Sequence, residues 1–181
     1  GCGAHIVISS VEHAAVRETC RALEHRGFAV TEVPVDRDGC VEPRAVEAAL
    51  RADTALVSIM TANNEVGTIQ PVAEIGTRIR ARGIPLHTDA VQAAGHIPLD
   101  VNVLHVDALS FSAHKFCGPK GIGVLYLRRG TKCTPFLHGG AQERDSRAGT
   151  ENTAAIVGCG RAAEIARAEM DAEDERMRAY T

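Results

Sequence analysis

The sequence has 181 residues, 45% hydrophobic and 24% charged, and its 20 Lys and Arg against 23 Asp and Glu leave a net charge of −3. A chain of that size buries about 70% of its unfolded surface, and the composition excludes an intrinsically disordered or collagen-like chain. No apolar run approaches the ~18 residues of a membrane span, no signal-peptide pattern is present, and no basic stripe marks a nucleic-acid partner. The expectation is therefore a cytoplasmic protein with a small-molecule ligand and neither nucleic acid nor membrane as partner.

Short β-rich runs alternate with helical patterns along the chain. In order, these predict a strand over 5–10, a helix over 11–25, a strand over 28–35, a helix over 43–51, a strand over 54–60 and a helix over 72–82. Strands over 85–89, 108–112 and 123–127 follow, and one long helical pattern runs over 154–181. Such alternation implies an α/β fold, a mostly parallel mixed sheet with helices on both faces. Ser9 and Glu12 have the S-x-x-E spacing of a capping box at the first helix, Glu42-Pro43 places proline in a first helical turn, and Asp36-Arg37-Asp38-Gly39 reads as a turn. The six cysteines (Cys2, Cys20, Cys40, Cys117, Cys133, Cys159) lack any C-x-x-C pair and are expected to be free thiols. The last helix stops at Thr181 without a glycine cap, and Gly1-Cys2-Gly3-Ala4 runs straight into a strand, as expected of a chain cut at both ends.

In this fold class, ligands gather beyond the carboxyl ends of the strands. His13 follows the first strand, Asn63, Asn64 and Glu65 the third, Asp89 and Gln92 close the fourth, and Ser112, His114 and Lys115 close the fifth. Lysine is scarce, at Lys115, Lys120 and Lys132 alone. Lys115 leaves an apolar strand beside His114 and enters a glycine-rich loop, a setting expected to bury it and suited to a Schiff-base amine. Lys120, between Pro119 and Gly121, is expected to be exposed. Asp89 ends an apolar strand, where an unpaired carboxylate is costly to bury. A protonated pyridine nitrogen would satisfy it, and a Schiff-base lysine with a carboxylate at that nitrogen is what pyridoxal 5'-phosphate chemistry requires. The competing reading of Asp89 is a cap on a helix beginning near Ala90. His13 alone reads as a helix-start histidine, and Asn64 and Gln92 as turn and surface residues.

Five stretches together resemble the cysteine desulfurase and selenocysteine lyase family of aminotransferase-like pyridoxal phosphate enzymes. They are Ser10-Val11-Glu12-His13, the run from Met60 to Gly67, His87-Thr88-Asp89-Ala90-Val91-Gln92, Ser112-Ala113-His114-Lys115 with residues 118–123, and residues 139–144 with 147–152. They follow the family's order through nearly the whole chain. The resemblance implies that Lys115 carries the cofactor, Asp89 pairs with its pyridine nitrogen, and His13 stacks on the ring and moves protons. Asn64 and Gln92 would lie by the phenolic oxygen and substrate, Ser112 and His114 would hold the phosphate, and Thr150 would reach the phosphate of the neighbouring subunit of a homodimer. The substrate implied is L-cysteine or L-selenocysteine, with a sulfur-acceptor protein as a further partner and iron–sulfur cluster biogenesis as the setting.

The family's phosphate-cradling Gly-Thr loop lies upstream of the His13 segment, and its nucleophilic cysteine and substrate-carboxylate arginine lie in a later small domain. Residues 1–181 are thus expected to form a partial cofactor-binding large domain, without the N-terminal segment or the C-terminal small domain, and to be inactive alone. Two other readings compete: a non-catalytic α/β scaffold, and a metal-dependent hydrolase built on His87, Asp89 and His114.

Overall fold

Each run expected to be extended forms a strand of one sheet in the computed structural model, which describes residues 3–180. The elements in chain order are β1 (His5–Ser9), α1 (Ala14–Glu24), β2 (Ala29–Val33), α2 (Pro43–Ala48), β3 (Thr54–Ser58), α3 (Val72–Arg80), β4 (Leu86–Asp89) and β5 (Ala108–Ser112). A 3-10 turn (Ala113–Phe116), β6 (Gly123–Leu127), α4 (Gln142–Asp145) and α5 (Thr153–Arg178) complete them. The sheet order is β2-β1-β3-β4-β5-β6, parallel throughout except for β6, which runs antiparallel to β5.

β1 is buried along its whole length, as a central parallel strand covered on both faces must be. Ile6 and Ile8 pack with Cys20, Val16 and Leu23 of α1. Val7, pointing the other way, joins Val57 and the α2 and α3 side chains Val46, Val72, Ile75 and Ile79. Alternation along one strand thus places α1 on one face and α2 with α3 on the other. The third cluster joins Ala113 and Phe116 to Cys159 of α5. His5 is wholly buried and bridges three strands through hydrogen bonds of 2.8 Å to Thr54 Oγ1 and 2.8 Å to Thr31 Oγ1.

Helix ends depart from the sequence expectation in instructive ways. α1 starts at Ala14 rather than residue 11, with His13 as its N-cap. The expected capping box is absent because Ser9 still belongs to β1; its hydroxyl does donate to Glu12 Oε1 at 2.6 Å, but the pair closes a strand end instead of a helix start. α2 has its proline in the first turn as expected, with the Glu42 side chain accepting from the Arg44 amide. The Asp36–Gly39 turn forms too: Asp36 Oδ1 accepts from the amides of Asp38 and Cys40, and Gly39 takes a φ of +76°. α4 was not legible in the sequence; Glu143, Arg144 and Asp145 all have positive φ there (49°, 56° and 65°), a conformation that costs about 1–2 kcal/mol per non-glycine residue. α5 ends at Arg178, and Thr181 lies outside the described residues, as does Cys2. The other five cysteines are free thiols, Cys20 and Cys159 buried.

Gly76 shows how tightly α3 meets the chain before β5. A Cβ there would stand 2.7 Å from the Leu104 carbonyl oxygen and 2.8 Å from His105 Cβ, whereas one on Gly160 of α5 would meet nothing within 4 Å. Gly76→Ala is expected to lower stability by about 1–3 kcal/mol despite its gain in helix propensity, and Gly160→Ala to raise it. Urea unfolding of both variants checks this; a stabilised Gly76→Ala would contradict the packing described.

Candidate active site

The chain leaves β1 toward β2 on one side, and the next strand, β3, lies on the other side of β1. That reversal opens a crevice between the loops that follow β1 and β3, the place where doubly wound sheets hold ligands. Here it is a cleft of about 660 Å³ whose lining includes Glu12, His13, Arg17, Asn63 and Asn64, with residues 36–39 along one side.

Two side chains stitch its walls together. Glu12 Oε1 accepts from the Met60 amide at 2.8 Å as well as from Ser9. Asn63, also buried, donates from Nδ2 to the Val11 carbonyl at 3.0 Å while its Oδ1 accepts from the amides of Glu65 and Val66. Sequence reasoning assigned neither role; the only signal was an acidic and an amide side chain directly beyond two apolar strands. His13 is exposed, and its Nδ1 accepts the Ala15 N–H at 3.1 Å. That bond makes Nδ1 an acceptor, so in the neutral ring the proton sits on Nε2. The helix-start reading of His13 therefore holds, and it also sets the tautomer. Asn64 is exposed beside it.

One strand further along, Asp89 is 7% exposed and its Oδ1 accepts the Val91 amide at 2.9 Å. No helix begins near Ala90, where residues 91–96 form turns, so the capping reading is corrected to a turn closed by one Asp89 oxygen. The other has no hydrogen bond among the described residues and stays available for a cation. Gln92 follows, half-buried. Two residues before Asp89, His87 binds Ser58 Oγ through Nδ1 at 2.8 Å and Ser110 Oγ through Nε2 at 3.1 Å, and burial pushes its pKa down. With both ring nitrogens engaged, His87 has no lone pair to give a metal, and no group of three metal-ligating side chains exists among the described residues. The His87, Asp89 and His114 ligand set is thereby overturned.

β5 ends at Ser112, which is half-buried, and the 3-10 turn that follows carries His114 and Lys115. Positions three apart eclipse in such a turn: Ala113 and Phe116 take the inward pair at 0% and 6% exposure. His114 and Lys115 consequently point outward and are exposed, which corrects the expected burial of Lys115. The main chain at Lys115 is anchored all the same, since its carbonyl accepts from His96 Nε2 at 3.0 Å. Because β4 and β5 are parallel to β1 and β3, Asp89 and Lys115 stand on the same edge of the sheet as His13 and Asn64. Lys120 is exposed in the loop before β6, whereas Lys132 follows the far end of that antiparallel strand and belongs to the opposite edge. Thr150 is exposed ahead of α5 and has no hydrogen bond to the other candidates.

The sequence matches the aminotransferase class-V family over residues 1–181. The chain belongs to that family. Among class-V relatives, a cysteine desulfurase IscS from Dictyoglomus turgidum is 57% identical over 97% of this chain and 44% of its own length. A structure described as a NifS-like protein superposes with a TM-score of 0.91 at 48% identity, covering 93% of this chain and 47% of that one. Another, described as SspA in complex with cysteine, gives 0.87 at 43% identity over 90% and 47%. The chain thus spans less than half the length of the relatives it matches.

The His87 bridge predicts an acid sensitivity. Its folded pKa lies below the ordinary 6.5, so below that pH the unfolded chain takes up a proton that the folded chain refuses, and stability falls. His87→Gln should flatten this part of the acid limb in urea unfolding measured across the window. An unchanged acid slope in the variant would contradict the bridge.

Proposed function

We propose that this chain is the cofactor-binding portion of a pyridoxal 5'-phosphate enzyme that removes sulfur from L-cysteine, or selenium from L-selenocysteine, and releases alanine. The observation that carries the reading is Asp89, a buried carboxylate with one oxygen unpartnered, on the edge where Lys115 presents an amine from an anchored turn. A buried carboxylate needs a cation, and among the described residues no lysine or arginine is paired with it. The donor set therefore fits a protonated pyridine nitrogen and an aldehyde-bearing cofactor. The likeness to cysteine desulfurases and to a structure holding cysteine supports the substrate class.

In this reading Lys115 Nζ holds the cofactor, and Asp89 keeps the pyridine nitrogen protonated. Ser112 and His114 would hold the phosphate, and Asn64 and Gln92 would lie near the phenolic oxygen and substrate. When bound, pyridoxal 5'-phosphate supplies the sink for the electron pair left as the substrate's α-C–H bond breaks. Lys115 Nζ would serve as the base that takes that proton. His13 works through Nε2, because its Nδ1 is committed to the helix cap. The exchange balances without an outside oxidant: the carbon–sulfur bond of cysteine breaks, a sulfur–sulfur bond forms on an acceptor thiol, and the β-carbon ends with the hydrogen that makes it alanine's methyl.

The buried Cys20 and Cys159 are poorly placed as acceptors. Cys117 is exposed but sits on the lysine's own turn with a φ of +63°. The family resemblance assigns the acceptor cysteine to residues outside 1–181, in a second, smaller domain, with a sulfur-acceptor protein downstream. Thr150 is assigned to the phosphate of a neighbouring copy in a homodimer, a role its exposure suits.

In the protein that carries this chain, Asp89→Asn is expected to cut cysteine turnover by about 10²-fold or more, the scale of losing a partner to charge at the reacting group. The amide keeps the Val91 bond, so melting should scarcely move. Turnover and melting measured on the same samples check this; equal and modest losses would reduce Asp89 to closing its turn.

A further inference from the structure

Glu12 is the buried group that the proposed chemistry leaves without a task. It is 3% exposed, directly precedes His13, and reaches across the crevice from the end of β1 to the Met60 amide. Its Oε1 accepts from the Ser9 hydroxyl and the Met60 amide, while its Oε2 is buried with no partner. As a carboxylate it would put charge on an oxygen that neither water nor a donor reaches. As a carboxylic acid it keeps Oε1 as a carbonyl serving both donors and strands only a neutral O–H, the smaller penalty. The Asn63 to Val11 bond lies alongside, so residues 11–13 are tied to residues 60–63 at two points.

We propose that Glu12, as the neutral acid, is a positioning residue: it clamps the His13 segment to the segment after β3 and thereby sets where His13 Nε2 and Asn64 stand in the cleft. The reaction it serves rests on the desulfurase reading above; the clamp itself is a feature of the fold.

Burial raises the Glu12 carboxyl to about 7 against the pull of hydrogen bonds from the Ser9 hydroxyl and from the Met60 and Ser9 backbones, and Asp89 at the end of β4 adds to the rise. On α1, Cys20 faces the same group and is pushed up by its own burial first and by Glu12 next. The other charged or titratable groups around the cleft are His13, Arg17, Asp36, Arg37, Asp38 and Glu65. The folded chain keeps a proton between the ordinary value of 4.5 and about 7 that the unfolded chain releases, so this group's contribution to stability falls as pH rises through that window. Above it the clamp holds a charge in a site that cannot solvate one.

The test compares Glu12→Gln and Glu12→Ala in the whole protein, with and without pyridoxal 5'-phosphate. Glutamine keeps the carbonyl and replaces O–H with N–H, so it should rescue turnover in neutral and mildly acidic buffer and remove the alkaline decline that belongs to Glu12. Alanine should lower kcat by about a hundredfold with KM little changed, as an ~1 Å misplacement does. Independently of turnover, infrared spectra of the cofactor-free protein should show a protonated-carboxyl stretch that titrates away near the pKa of about 7 and is missing from both variants. A Glu12→Gln as slow as Glu12→Ala, or a wild type without that stretch in acid, would overturn the proposal. Should the wild type lack desulfurase turnover, the activity reading fails, while the infrared titration and the pH dependence of melting still judge the clamp.

Discussion

Four adjacent parallel strands, β1, β3, β4 and β5, end at one edge of the sheet, and the candidate site exists only because of that arrangement. His13, Asn64, Asp89 and Lys115 come from four loops spread over a hundred residues of chain. Parallel pairing converts that spread into neighbouring positions along an edge. The antiparallel β6 completes the arrangement: pairing Ser112 with Gly123 brings the glycine-rich loop back to the same edge and sends Lys132 to the opposite one. Of three lysines, topology alone leaves two within reach of the site, and the anchored turn favours Lys115.

The interior beneath this edge is more polar than the apolar clusters suggest. His5 and His87 each bridge hydroxyls on both flanking strands, and Thr61 meets Thr88 at 2.7 Å. With Glu12 and Asn63, these bonds link β1 to β5 through buried and half-buried polar side chains. Such networks hold loops in place where apolar packing stops. They differ from the surface pairs, of which Arg78 with Glu74 and Glu47 is an instance joining α2 and α3 at small energetic weight.

The strands were legible because β-branched and aliphatic runs bounded by glycine, proline and aspartate have few other readings. The edge residues were legible for the same reason, since polar side chains directly beyond such runs stand out. Glu12 was not, because S-x-x-E fits a helix start as well as a strand end, and only the three-dimensional position of Ser9 distinguishes them. The exposure of Lys115 was hidden by the 3-10 turn, whose period of three gives the inward places to Ala113 and Phe116. α4 was hidden too, because its left-handed residues are charged and carry no glycine signal. The role proposed for Thr150 involves a second copy of the chain, which no local pattern encodes.

The most direct measurement is reductive trapping of the cofactor. The protein is incubated with pyridoxal 5'-phosphate, reduced with borohydride and digested, and the labelled peptide is identified by mass. The label should fall on Lys115 and vanish in Lys115→Ala. Label on Lys120 or Lys132 instead, or no label on any lysine of this chain, would contradict the site.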